Sequence, residues 1–401
     1  MRAAPLSSLR LHSLDVLRGV AALAIVVTHW PDFFIAGTTR LGVAPEQMPF
    51  HTWLGPLYAQ GWRAVDFFFC LSGFIFQCLY AARIAERRVG FGEFALLRFS
   101  RLYPLHLATL LAVALLQWHL LRAQGSFQAV PTNDAAHFVQ HLFFVSSWGW
   151  GHVSFNGPVW SVSVEVVLYA VFFAACAAGW RRWWQVGLLA GAGFLLQFTT
   201  RFSAIGRGLM GFFIGALVGL IFLAWREKGP RVPRWTVLLA AGVAWAVAAA
   251  DLRYDLVRQA AAAFPGIRIG GFALSFIAEH FAFRLLPFQL LTIPATILAL
   301  AWVEEGRPGF GRRWAFLGDI SYSSYLLHFP LQLVCATAFL HLGSDRLVAA
   351  SPIFFVLFFV VLLGLSLASY HGLERPLQRW LRARFLPARA TPPVPGPGPH
   401  S

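Results

Sequence analysis

The sequence predicts an all-α fold: a polytopic membrane helix bundle of about ten transmembrane helices, with one or two re-entrant or interfacial segments. Three observations predict it. Of the 401 residues, 58% are hydrophobic and only 12% are charged. Apolar runs such as 209–225, 286–303 and 352–370 approach the roughly 20 residues that cross a hydrocarbon core. Runs of that length suit helices, which satisfy their backbone polar groups internally. Finally, the cations gather in alternate connections, as the positive-inside rule requires.

The elements follow in order. Spans are predicted at 14–34, 58–82, 102–121, 158–180, 183–200, 208–225, 235–250, 286–303, 316–340 and 352–371. With the N-terminus inside, the inner segments hold 22 of the 32 Lys and Arg residues. Clusters at 83–101, 226–234 and 375–389 dominate that count. Both termini are therefore expected in the cytoplasm. The first apolar segment is not expected to be a cleaved signal, because no small-residue site follows it and further spans do. "AAHFVQHLFFVSSW" (135–148) is too short to span and is expected to be re-entrant or interfacial. "IRIGGFALSFIAEHFAF" (267–283) carries Arg268, Glu279 and His280, which makes it a doubtful span. Residues 1–377 are expected to form one membrane domain. Residues 378–401 form a basic, then Pro/Gly-rich tail expected to be largely disordered.

Other features exclude whole classes. The four cysteines, Cys70, Cys78, Cys176 and Cys335, lie in apolar segments without CxxC spacing and read as free thiols. The net charge of +15 fits basic loops against an anionic leaflet, so membrane lipids are expected neighbours and nucleic acid is not. "HFVQH" places His137 and His141 four apart, a spacing suited to two metal ligands. No third ligand is evident, and no metal is expected.

The ionisable groups inside the spans carry the functional argument. Arg18 and His29 are 11 positions apart, close to three whole turns, so both share one face about 16 Å apart along the axis. With Arg18 at the inner surface, His29 reaches mid-depth. Glu165, Asp66 and His328 fall near the same level by the same arithmetic. Charged groups in hydrocarbon usually face a cavity and one another. Four at one depth suggest a polar site suited to proton transfer, with a neutral His as base and a carboxylate orienting it. On the inner side, "LLRFSRLYPLH" brings Arg98 and Arg101 three apart, just before Tyr103-Pro104 opens the next span. Such a pair can grip phosphate, and ordinary positive-inside retention explains it equally well. The aromatic residues of 148–160 suit a sugar face, although an interfacial aromatic belt is slightly favoured.

Several motifs then line up in order. "LDVLRGVAALAIVVTH", with Asp15, carries an Arg-x10-His pattern. "VDFFFCLSGFIF" follows with Asp66 and Ser72. "RFSRLYP" carries the paired arginines, and "GPVWSVSVEVVLY" contributes Trp160, Ser163 and Glu165. "ISYSSYLLHFPL", with Tyr322 and His328, and the terminal "ERPL" complete the set. The chain resembles the acyltransferase 3 family of integral membrane enzymes that O-acylate extracytoplasmic carbohydrates, over about residues 13–377.

The resemblance implies a co-substrate rather than a bound cofactor: acyl-CoA, usually acetyl-CoA, arriving from the cytoplasm. It implies a carbohydrate or glycoconjugate hydroxyl as acceptor on the outer side of the inner membrane. His29 and Glu165 are then the expected catalytic pair, with Glu165 orienting His29. Arg18, Arg98 and Arg101 are the expected donor contacts. Asp15, Asp66, Ser72, Trp160, Ser163, Tyr322 and His328 would shape or support the cavity. Many members carry a further periplasmic hydrolase-like domain after this core. Here a short tail follows, which leaves room for a separate periplasmic partner protein. The competing class is a transporter or flippase for a glycan precursor. It also uses intramembrane charges, but no inverted repeat is seen to favour it.

Overall fold

In the computed structural model, the described residues are 10–36, 39–149, 153–229, 232–256, 259, 262–263, 268–269, 272–273 and 287–386. Glu279, His280 and residues 387–401 of the expected tail lie outside them, whereas residues 378–385 of that tail are not disordered but helical, within Arg375–Phe385. Among the described residues the fold is helical, with two antiparallel two-residue hairpins. One pairs Ile35 with Arg40 and Ala36 with Thr39, and the other pairs Arg268 with Ala273 and Ile269 with Phe272.

The helices are α1 (His12–Thr28), α2 (His51–Gln60), α3 (Ala64–Leu79), α4 (Ala81–Ala85), α5 (Phe91–Gln124), α6 (Ala135–Leu142) and α7 (Trp160–Ala177). They continue as α8 (Trp183–Leu196), α9 (Ser203–Lys228), α10 (Arg234–Tyr254), α11 (Ile293–Gly306), α12 (Ser321–Leu342), α13 (Pro352–Ser369) and α14 (Arg375–Phe385). Nine of the described helical stretches are long and apolar enough to cross a membrane. The tenth expected span, 183–200, is the shorter apolar helix α8. The 135–148 segment is the eight-residue α6 followed by turns, too short to cross. The surface is apolar as a bilayer requires: Leu115 and Trp118 on α5, and Leu357 and Val360 on α13, are all exposed.

Two boundaries depart from expectation where proline sits. Helix α1 ends at Thr28, and Trp30–Phe34 continues as a 3-10 turn. Pro31 lacks the N–H that would continue the ladder, so the α-helix stops just before it. His29 is therefore a helix C-cap rather than a mid-helix residue. By contrast, α5 runs 34 residues straight through Pro104. The "RFSRLYP" segment is thus the first turns of a long helix, not a loop before one.

Small residues set the closest packing. Helices α3 and α9 cross where a Cβ on Gly215 would collide with the Cys70 carbonyl and one on Gly73 with the Phe212 carbonyl. Phe76, Phe172 and Phe212 fill the core beside that crossing. The start of α1 is fixed by a carboxylate from α11. Glu304, 3% exposed, accepts from the His12 and Ser13 amides at 2.8 Å each and from Ser13 Oγ at 2.7 Å. It serves as the N-cap that the local sequence does not supply. Helix α12 packs against α1, α5 and α13, which makes it the central strut of the site.

Candidate active site

A cavity opens between α1, α3, α5, α7 and α12. Its polar lining includes Arg18, Ser72, Arg98, Arg101, Glu165 and Tyr322. An adjoining recess shares Arg18, Arg101 and Tyr322, and adds Tyr370, Glu374 and Arg375. Tyr370–Glu374 is a π-helical turn between α13 and α14. Such turns displace side chains from the regular helical register and recur at functional sites.

The three arginines are held very differently. Arg18 donates to the Gly318 carbonyl at 2.7 Å and to Ser321 Oγ at 3.1 Å, and pairs with Asp15 at 3.1 Å. Arg10 in turn bonds Asp15 at 3.0 Å and Asp319 at 2.9 Å. Asp15 thus anchors the cations at the foot of α1. Arg98 donates to Tyr80 Oη at 2.7 Å and lies 5.0 Å from the ring centres of both Phe76 and Tyr80. Arg101 is exposed and makes no hydrogen bond or ion pair among the described residues. It is the cation left open to a ligand.

Glu165 accepts from Tyr169 Oη at 2.5 Å and from Ser72 Oγ at 3.1 Å. Its partners are therefore cavity hydroxyls, and no hydrogen bond joins it to His29. The imidazole is oriented instead by the backbone. His29 Nδ1 lies 2.9 Å from the Ile25 carbonyl. A carbonyl only accepts, so Nδ1 carries the proton and Nε2 presents its lone pair. The same carbonyl accepts the His29 amide at 3.1 Å, so one backbone oxygen holds both the main chain and the ring of this residue. The ring of His328 lies 5.2 Å from that of His29, and Tyr325 stands 6.0 Å beyond His328. Tyr325 also lines the cavity of Glu165.

The structure draws His29 and His328 together, and gathers Glu165, Ser72, Tyr322 and the arginines in one cavity. Other expected members sit elsewhere. Asp66, fully buried, pairs with Arg207 at 2.6 Å and accepts from Gln289 at 2.8 Å. That pairing ties α3 to α9 and to the turn before α11. Trp160 faces Arg207 at 5.6 Å, beside Trp62 at 4.7 Å. Ser163 is spent on the 143–148 turns, donating to the Phe144 carbonyl at 2.7 Å and accepting from the Ser147 amide at 3.1 Å. Tyr322 Oη donates to the Leu102 carbonyl at 2.6 Å. His137 bonds Asp134, and buried His141 faces Ser154 Oγ at 3.2 Å. Among the described residues no three His, Cys, Asp or Glu side chains gather as metal ligands.

Several participants escape sequence reasoning. Asp32 interacts electrostatically with His29, and its i, i+3 spacing was a signal available in the sequence. Tyr169 is one turn from Glu165, equally visible. Arg207, Gln289, Gln332 and Arg375 reach their places only through tertiary packing. Gln332 donates to the His29 carbonyl at 2.9 Å.

Comparison with known proteins bears on this arrangement. The family model of an acyltransferase domain matches residues 11–371. Acyltransferase MdmB of Streptomyces mycarofaciens is 27% identical over 395 residues, covering 86% of this chain and 95% of the relative. Exopolysaccharide production protein ExoZ of Rhizobium meliloti (strain 1021) is 30% identical over 360 residues, covering 83% and 95%. Protein 2 in the picA locus of Rhizobium radiobacter is 31% identical over 173 residues, covering 40% and 78%. No solved structure matches the chain. A match that spans nearly the whole helical bundle means that the chain belongs to the acyltransferase 3 family, as a multi-pass membrane protein.

Proposed function

We propose that this protein moves an acyl group, by preference acetyl, from cytoplasmic acyl-CoA to a hydroxyl of an extracytoplasmic carbohydrate or glycoconjugate at the inner membrane. One observation carries the reading: a single helix joins the cationic cavity to the imidazole. On α12, Ser321 meets Arg18, Tyr325 lines the cavity and His328 meets His29. Seven residues separate the first contact from the last, about 10 Å along the helix. An extended pantetheine arm can follow that line from a phosphate end held near Arg101 to a thioester near His29. The relative named for exopolysaccharide production supports a carbohydrate acceptor.

In the reaction, His29 Nε2 takes the proton of the acceptor hydroxyl. The hydroxyl oxygen bonds the thioester carbonyl carbon, the carbon–sulfur bond breaks, and His29 returns the proton to the thiolate. General-base catalysis of this kind is worth roughly 10²–10⁴-fold. Glu165, set between Ser72 and Tyr169, supplies negative charge among the cavity arginines rather than on His29. The test is thiol release from acetyl-CoA by the purified protein, with envelope ester content measured in a deletion strain of the host. Release that depends on His29, together with ester lost on deletion, is expected. Loss of a glycan from the surface without any thiol release would identify a transporter instead.

A further inference from the structure

We infer that His328 is a second ligand of the acylated hydroxyl, so that His29 and His328 grip one oxygen between them. The inference deepens the reading above and rests on His29 as the base. Its starting point is a cluster of buried polar atoms that form no well-aligned hydrogen bond. His328 is fully buried, yet neither ring nitrogen makes a hydrogen bond, although the Ser324 and Tyr325 carbonyls approach the ring. One turn on, Gln332 is 3% exposed; its amide donates to the His29 carbonyl, while its Oε1 is unpartnered. Leaving a buried polar group unpaired is destabilising. Three such atoms on adjacent turns of α12, all beside His29, mark a place built for something polar.

The chemistry of the gap narrows what that is. His29 Nδ1 is committed to the Ile25 carbonyl, so Nε2 can only accept. A neutral His328 offers one N–H and one bare nitrogen. An occupant must therefore donate to His29, and one that spends its only proton there can still accept from the N–H of His328. A hydroxyl does both with a single oxygen, whereas a thioester carbonyl can only accept. The ring centres lie 5.2 Å apart, and no hydrogen bond joins the two rings. In the transfer step His328 keeps its proton. It holds the oxygen while His29 removes the hydroxyl proton and the oxygen attacks the acyl carbon.

The host itself supplies the acceptor for the test. Variants are expressed in a strain lacking the native gene, envelope-bound ester is measured per unit of membrane protein, and acetyl-CoA affinity is measured on the purified protein. His328→Phe keeps a flat ring but removes both nitrogens. It is expected to lower ester at least tenfold while acetyl-CoA affinity stays within about threefold. His328→Gln keeps a donor and an acceptor, and is expected to restore at least a third of the ester. Equal loss of donor affinity, full ester with the Phe variant, or failure of that variant to accumulate would each assign His328 to packing and overturn the proposal. His29→Ala is run alongside: if it too leaves ester unchanged, the fault lies with the base assignment rather than with His328.

Discussion

At the residue scale, the decisive feature is how differently similar side chains are employed. His29 is held by the chain's own backbone, so its tautomer does not depend on a carboxylate. His29→Ala is expected to cut transfer by at least about 100-fold, the scale of a lost general base, with acetyl-CoA binding intact. Glu165→Gln separates the two roles its position permits. Bonded to Ser72 and Tyr169 among the arginines, it is expected to change the donor KM. A fall in kcat alone would return Glu165 to His29 as a charge partner. Arg101, which makes no hydrogen bond or ion pair among the described residues, is expected to lose about 10- to 100-fold in acyl-CoA affinity when changed to Ala, the range of a charge-assisted hydrogen bond. A pantetheine thioester lacking the nucleotide should bind both forms alike. Equal losses with both donors would make the arginine structural. Arg98 is a poorer probe, because its ring contacts make its removal a packing change as well.

At the element scale, hydropathy made the spans legible, since apolar runs of bilayer length leave the chain few alternatives. The Arg18 to His29 spacing was legible for a related reason: α1 is regular between them. What was not legible depends on neighbours. Depth arithmetic could not show that Asp66 is spent on Arg207 and Gln289, because only folding brings them to it. The break after Thr28 and the continuity through Pro104 show the same residue type acting oppositely, according to what packs around it. The α3–α9 crossing depends on glycine. Gly215→Leu is expected to cost at least the 1–3 kcal/mol of an overpacked core, read as earlier melting in detergent, with transfer lost in parallel. Unchanged melting would mean the helices can separate without consequence. Helix α6 makes a pH-dependent case. Burial, helped by the nearby His106 and His137, pushes the His141 imidazole down to about 3, whereas an unfolded histidine titrates near 6.5. Its contribution to stability is then unaffected above that value and falls as the pH drops toward 3, because the unfolded side chain takes the proton first. The protection factors of the 135–148 amides, corrected for intrinsic exchange, should therefore fall on acidification below about pH 6 and lose that dependence in His141→Gln.

At the scale of the whole molecule, the question is which side each substrate approaches from. The charge distribution argues for Arg98, Arg101 and α14 at the cytoplasmic face. The recess built by Arg18, Arg101, Tyr370 and Arg375 lies where α5, α13 and α14 converge, and in the proposed reaction it would be the mouth for the charged donor. His29 sits at the opposite end of α1, about 16 Å from Arg18. It is followed by a 3-10 turn that completes the apolar stretch His12–Phe34, and then by a short hairpin. A base placed there can meet a hydroxyl that never crosses the membrane. The acyl group alone would make the passage, carried on the pantetheine arm, and the thiol would withdraw the way it came. Sealed vesicles of known orientation test this directly. Acetyl-CoA supplied at the cytoplasmic face should support transfer, with free CoA appearing on that same face. Acetyl-CoA supplied at the other face should give none, because the proposed nucleotide mouth would face away from it. Equal activity from both faces, or CoA released on the outer side, would mean that the donor itself traverses the bundle, and the geometry joining Arg101 to His29 would then describe a transport path.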